Sequence, residues 1–346
     1  MFFEIFGKDP IDNRLKKIQK SENYDCSIKK FKNKREEEIL IQNKSISLFS
    51  ILKKLITNRT NRSPGKNFSV KNQIDEFKSS KENLSYIWLG HSTVLLKISD
   101  KTILFDPVFK NAAPFWFIKK RFQPSPISID ELPKIDFVLI SHDHYDHLEM
   151  FSIKKLKKKY NPKFIVPLGI GEHLHLWGVE EKNIMELDWW NSTSFENIKI
   201  TCTPAMHSSG RRYFMQNKTL WCSWVIESNL GNKIFFSGDS GYDDHFKKIG
   251  DKYGPFDIVF VECGQYNAMW SLSHMHPTQS ILAYEDLKGK KMQPIHWGAF
   301  DLAIHAWNEP INIAYKISKE KNISLLHPMQ GELVEIEKYI NNDVWW

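Results

Sequence analysis

The feature that most constrains this chain is a seven-residue stretch, Ser141-His142-Asp143-His144-Tyr145-Asp146-His147, directly after the apolar run DFVLI. It places three imidazoles and a carboxylate in an H-x-H-x-D-H spacing. Such a set is costly to bury without partners. On a tight loop, neighbouring side chains cannot all face one point, so two adjacent centres are the natural arrangement. Neutral imidazole and carboxylate oxygen suit zinc or a similar divalent ion at about 2.0–2.2 Å. The motif cannot close two coordination shells alone, so the fold must deliver further ligands. Three residues, each following an apolar strand-like run, are candidates: His207 after IKITCTPAM, Asp239 after KIFFSG and His296 after KMQPI.

The rest of the sequence is that of a globular enzyme. Its 346 residues are 41% hydrophobic and 26% charged, enough for a large core in one large domain or two. No apolar run approaches the roughly 20 residues that a spanning helix needs. The first residues, MFFEIFGKDPIDNR, lack a secretory apolar region. Cys26, Cys202, Cys222 and Cys263 are widely separated, which argues against a disulfide framework and for a reducing, cytoplasmic setting. Residues 1–85 hold 19 Lys+Arg against 11 Asp+Glu, and the remainder holds 29 against 30. The positive potential therefore belongs to the N-terminal quarter.

Residues 1–84 read as a basic, partly helical N-terminal extension short of strand signals, with a loop at NRTNRSPGK (58–66). In SISLFSILKKLIT, the residues Leu48, Phe49, Leu52, Leu55 and Ile56 recur at helical spacing, with Lys53 and Lys54 off the stripe. Such a helix either caps the protein body or lies on an anionic membrane surface through residues 46–57. From Ser85 the texture changes. The runs SYIWL, TVLLKI, TILFD, DFVLI, KFIVP, IKITCT, LWCSWVI, KIFFSG and DIVFVE read as strands, with helical stretches at Ile153–Tyr160 and Pro277–Leu287. This pattern predicts an α/β domain over 85–346, two sheets with helices packed outside.

The stretches WLGHSTVLL, FDPVF, ELPKIDFVLISHDHYDHL, VPLGIGEHL, MELDWW, TPAMHSSG, LWCSWV, FFSGDSGY, YGPFDI and IHWGAF span residues 87–300. Together they resemble the metallo-β-lactamase superfamily. Within it, the match is to N-acylphosphatidylethanolamine-hydrolysing phospholipase D and its bacterial relatives. The resemblance implies a four-layer αββα metallo-β-lactamase sandwich. It implies that His142, His144 and His207 hold a first zinc, and Asp146, His147 and His296 a second, with Asp239 bridging; iron or manganese are alternatives to zinc. It also places His274, in SLSHMHPTQS, near the substrate phosphate, to stabilise developing charge or protonate a leaving oxygen. Asp146, Asp239 and His274 are then the catalytic residues. Where the family has Asp or Asn, this chain has His276.

Seven protein ligands for two ions leave a position for a shared hydroxide. Two ions about 3.5–4 Å apart clamp the attacking and leaving oxygens of a displacement. Lowering the pKa of water from about 15.7 to about 7 is worth about 12 kcal/mol, more than a side-chain base supplies. The expected activity is hydrolysis of a phosphodiester, with a phospholipid or small molecule as substrate; a lactone or other cyclic ester is the alternative. No RRM, KH or helix-turn-helix signature points to nucleic acid. The oligomeric state stays open, a homodimer included.

Around the ligands, Asp143 and Asp106 are candidates to accept the free N–H of ligating imidazoles, with a turn before Pro107 as the plainer role for Asp106. His91 either faces the site or simply packs. Trp116, Phe117, Tyr242 and Trp270 are loop aromatics that either meet substrate or edge the core. His173 and His175 form a second H-x-H, but on a helix such side chains diverge, so they are expected to be structural. His245, His305 and His327 have no expected role.

Overall fold

Most strands of this chain read as near-continuous apolar runs because each sheet is covered on both faces. A computed structural model describes residues 3–45, 61–115, 117–212, 216–341 and 343–346. A small antiparallel pair comes first, β1 (Tyr24–Asp25) with β2 (Lys30–Phe31), inside the segment whose sequence carries no strand signal. Then follow β3 (Leu84–Trp88), β4 (Val94–Ile98), β5 (Lys101–Phe105), β6 (Phe137–Leu139), β7 (Lys163–Pro167) and β8 (Ile184–Leu187). With the late strand Leu333–Glu335, they form a seven-stranded mixed sheet. The strands β9 (Ser192–Phe195), β10 (Ile198–Thr203), β11 (Ser223–Ser228), β12 (Lys233–Phe236), β13 (Ile258–Glu262) and β14 (Met292–Ile295) form a six-stranded second sheet.

Side chains alternate between the two faces of each strand. Tyr86, Val94, Leu96, Ile103 and Phe105 point inward to meet Trp224, Phe236 and Phe260 of the second sheet. Phe105 stacks on Phe236 at 4.4 Å, and Tyr86 meets Phe260 edge-on at 4.9 Å. Their neighbours Ile87, Leu95, Leu104 and Val138 point outward, onto Ile153 and Leu156 of the helix Met150–Tyr160 and Leu174 of the helix Gly171–Leu176. Helices His245–Tyr253, Pro277–Asp286 and Glu309–Lys321 supply Phe246, Ile249, Ile281 and Ile311 to the same core as the second sheet. The result is the helix–sheet–sheet–helix sandwich that the sequence led us to expect.

The nine strand-like runs all fall on strands. Besides β1 and β2, the strands β8, β9 and Leu333–Glu335 carry no such run. The strands β8 and β9 are outermost in their sheets, and Leu333–Glu335 closes the other edge of the first. Edge strands are partly solvated and carry polar residues, which blunts their signal.

Residues 3–45 lie along this sandwich. Ile18 and Phe31 are buried with Leu168, Leu220 and Trp221. The Trp177 indole donates to the Glu4 carbonyl at 2.7 Å, and Asn33 donates through Nδ2 to the His207 carbonyl at 2.5 Å. The stripe Leu48–Ile56 and Trp116 lie outside the described residues. Among the described residues, no helix is long and apolar enough to cross a membrane.

The topology sets where chemistry can occur. The pairs β5–β6, β12–β13 and β13–β14 are parallel, and β10 runs with β12 because both are antiparallel to β11. The residues after β5, β6, β10, β12, β13 and β14 thus emerge at one edge, the usual location for ligand sites in parallel α/β sheets.

Candidate metal centre

That edge gathers the sequence-derived candidate ligands. His142, His144 and His207 bring one ring nitrogen each within 4.8 Å of the others, and a carboxylate oxygen of Asp146 lies as close to ring nitrogens of His147, His296 and His91. The His142 Nε2 to His144 Nδ1 distance is 2.9 Å, and His207 Nε2 lies 3.2 Å from the same Nδ1. Asp239 sits between the two sets. Its Oδ2 is 3.0 Å from the Nε2 atoms of both His147 and His296, and 3.8 Å from those of His142 and His207.

The outer nitrogens of three of these rings are held by acceptors. His147 Nδ1 faces Asp106 Oδ2 at 2.7 Å, His207 Nδ1 donates to the Ser273 carbonyl at 3.0 Å, and His296 Nδ1 donates to the Gly264 carbonyl at 3.3 Å. A carbonyl only accepts, so a hydrogen sits on the outer nitrogen, and in the neutral ring the inner one carries the lone pair. This is how metal-ligating histidines are oriented. Asp239 Oδ1 is buried without a hydrogen-bond partner, and His147 Nε2 makes no well-aligned hydrogen bond although the Asp239 carboxylate stands 3.0 Å away. Orphaned buried atoms of this kind are rare, and here they belong to the residues that would share an ion. The donor set fits two divalent cations.

Electrostatics divide the imidazoles into two groups. Burial, with the neighbouring rings of His147, His144 and His207, pushes the His142 imidazole well down. Burial lowers His207 as well, against the pull of Asp239. For His147 burial also acts downward, but Asp239, Asp146 and Asp106 outweigh it and raise the imidazole well above its usual range. His296 behaves like His147, through Asp239 and Asp146.

The backbone is strained where the site is built. His91, Asp106 and His296 are non-glycine residues with φ of 53°, 39° and 67°. Such conformations cost of order 1–3 kcal/mol each and persist where function requires them. Gly238, at φ 57°, lets the Asp239 loop pass the motif; a Cβ there would stand 2.6 Å from the Ser141 Cβ.

The residues expected around the ligands divide between the site and the scaffold. Asp106 is fully buried and accepts from the Ser141 amide at 2.7 Å as well as from His147, so it orients a candidate ligand. Asp143 does not: it accepts from the Gly210 amide at 2.6 Å and faces His173 at 3.1 Å, because Arg211 and the loop after β10 turn it away from the cluster. His173 and His175 diverge, the first buried against Asp143 and the second mostly exposed. His91 faces the site, its Nε2 3.0 Å from Asp146 Oδ2. His276 caps the helix Pro277–Asp286: its Nδ1 accepts from the Thr278 amide at 3.3 Å, and its own amide donates to Gln279 at 3.1 Å. Asp and Asn are ordinary helix caps, so His276 fills a local structural role. Tyr242 donates to Asp286 at 2.7 Å and stacks on Phe246, a core-edge role, while Phe117 stacks on Phe115.

A cavity of about 490 Å³ opens onto the cluster. His144, Asp146, His207, Asp239, His274 and His296 form its floor, and Ile39, Leu40, Trp270 and Leu302 give it an apolar side. Lys30, Asn33 and Glu36 line it too. The sequence reading missed this N-terminal contribution, because it depends on docking rather than on any local motif. A larger cavity of about 730 Å³, by Trp189 and His245, contains none of the candidate ligands.

The Beta-lactamase superfamily domain matches residues 101–297. The chain is similar to an uncharacterized protein of Mycobacterium tuberculosis, 36% identical over 78% of this chain and 73% of that protein. It is also similar to N-acyl-phosphatidylethanolamine-hydrolyzing phospholipase D 1 of Caenorhabditis elegans, 34% identical over 66% of this chain and 67% of the relative. Among solved structures, Igni18, a metallo hydrolase of Ignicoccus hospitalis, covers 72% of this chain with 97% of its own length, at 21% identity and a TM-score of 0.57, a likeness of fold. The ligand cluster at the sheet edge, the sandwich that carries it and these matches agree: the chain belongs to the metallo-β-lactamase superfamily and is a metal-dependent hydrolase.

Proposed function

We propose that the protein hydrolyses phosphodiesters of phospholipid type using two divalent ions, zinc in the first instance. His142, His144 and His207 would hold one ion, Asp146, His147 and His296 the other, and Asp239 both. The observation that carries this reading is the position of Asp239 Oδ2, 3.0 Å from each of His147 and His296 and 3.8 Å from each of His142 and His207. Bound divalent ions act as Lewis acids on phosphoryl oxygens and make water a nucleophile near neutral pH.

The chain's own residues do the rest. Asp106 and the Ser273 and Gly264 carbonyls fix the imidazoles in the tautomer that ligates. Lys30 offers a donor to a phosphate or headgroup. Ile39, Leu40, Trp270 and Leu302 exclude water from one side of the cavity and suit an apolar substituent. The similarity to the Caenorhabditis elegans phospholipase D supports a diester carrying acyl chains. Leu40 and Ile41 are 49% and 69% exposed on the helix Glu36–Ser45, beside the cavity. This supports peripheral contact with a lipid surface, which residues 46–57 would extend. Ile41→Asp should then reduce turnover of vesicle-embedded lipid about tenfold, the loss of roughly 1.5 kcal/mol of apolar burial, and spare a soluble diester. Equal turnover on vesicles would remove Ile41 from that contact.

The reading is tested by offering metal-loaded protein a soluble phosphodiester, N-acylphosphatidylethanolamine vesicles and a lactone side by side. Diester turnover is the expected result; lactone turnover alone would overturn it. His274→Ala should lower diester turnover about 100-fold, the scale of a lost proton donor, with metal content by elemental analysis unchanged. Loss of an ion in that variant would make His274 a ligand.

A further inference from the structure

The strand β13 ends in a glutamate that no ligand assignment uses. Glu262 is fully buried. A carboxylate taken out of water needs a partner for each oxygen. One oxygen of Glu262 accepts from the Ser240 amide at 2.5 Å, and the other pairs with His274 Nδ1 at 2.5 Å and lies farther, 3.6 Å, from His296 Nδ1. The carboxylate is further fixed by its own backbone, whose amide lies 2.9 Å from Ser237 Oγ and whose carbonyl takes the Ser280 hydroxyl at 2.6 Å.

His274 is only partly buried and lines the cavity, its ring edge-on to His207 at 4.9 Å and parallel to His296 at 5.3 Å. An ionised carboxylate only accepts hydrogen bonds, so the hydrogen in the pair sits on Nδ1. That leaves Nε2 as the ring nitrogen not engaged by Glu262, on a side chain that lines the cavity. The arrangement repeats the logic by which a buried carboxylate orients a catalytic imidazole and stabilises its cationic form.

We propose that Glu262 is the positioning residue that makes His274 the proton donor to the leaving oxygen, an inference that rests on the phosphodiesterase reading. As water's oxygen forms its bond to phosphorus, the bond from phosphorus to the leaving oxygen breaks and its electron pair goes to that oxygen. The proton on His274 Nε2 neutralises it, and the proton released by the attacking water restores the imidazolium. Glu262 keeps its charge throughout and holds the ring by Nδ1.

The test compares Glu262→Gln with the parent, both metal-loaded, on two soluble diesters: one with an alkyl alcohol as leaving group and one with 4-nitrophenol. An alkoxide needs a proton to leave; nitrophenolate does not. The expected result is a fall in kcat of about 100-fold for the alkyl diester, KM unchanged, and a change of less than about threefold for the nitrophenyl diester. Both ions stay bound by elemental analysis, and Glu262→Asp recovers part of the alkyl activity. Equal losses on both diesters, or loss of an ion, would overturn the proposal and give Glu262 a part in holding metal or fold. Should Glu262→Gln not fold, the ¹⁵N-labelled parent still decides: a hydrogen-bonded Nδ1–H on His274 is required, and its absence overturns the pair. A parent that hydrolyses neither diester overturns the phosphodiesterase reading and the leaving-group role, while the Nδ1–H signal judges the Glu262–His274 pair separately.

Discussion

Asp239→Asn should abolish activity and cost the protein at least one ion while leaving the sandwich intact. Asp239 is buried at the centre of the cluster, with Oδ2 within 3.8 Å of four imidazole nitrogens. Asparagine keeps the shape but removes the charge, and its amide turns one acceptor into a donor facing other nitrogens. Removing one member of a buried charged set costs about 3–5 kcal/mol. At about 1.4 kcal/mol per decade, that is a loss of roughly 100- to 4,000-fold in the assembled, active form. The fold is spared because Asp239 takes no part in the apolar core between the sheets. Elemental analysis beside circular dichroism checks the prediction. Two ions retained with full turnover would remove Asp239 from the centre.

Chelation should lower the melting temperature substantially. An ion bound only by the native state at about 1,000 times its Kd contributes about 4 kcal/mol. Two such ions contribute about 8, and at about 2 °C per kcal/mol for a chain of this size the shift is roughly 15 °C. The stripped site explains why the ions matter. Asp146 and Asp239 then face imidazoles in place of ions, and they raise His147, with Asp106, and His296, which burial alone would lower. Ions require the unprotonated rings, so loading releases protons and apparent affinity rises with pH. A melting curve unchanged after verified metal removal would contradict a buried dinuclear centre.

The cluster was legible in the sequence because its candidate ligands follow apolar runs: DFVLI before the histidine motif, KIFFSG before Asp239, KMQPI before His296. Strands buried on both faces announce themselves, and the candidate ligands sit just past their carboxyl ends. Two kinds of residue escaped. Glu262 closes its own strand, yet its role depends on His274 arriving from a separate turn, a contact with no sequence period. Lys30, Asn33 and Ile39 reach the cavity only because Ile18 and Phe31 dock the N-terminal segment on Leu168, Leu220 and Trp221. Asp143 shows the converse error. Its place between two candidate ligands suggested an orienting role, but a side chain on a tight loop can face away, and this one faces His173 and Gly210.

The central claim, a centre of two ions bridged by Asp239, is tested most directly by the metal-to-chain ratio. Protein loaded with zinc and dialysed to constant content should retain two ions per chain and hydrolyse a soluble phosphodiester, and His296→Ala prepared in parallel should retain one and lose that activity. One ion or none per chain in fully active protein, or two in His296→Ala, would contradict the account.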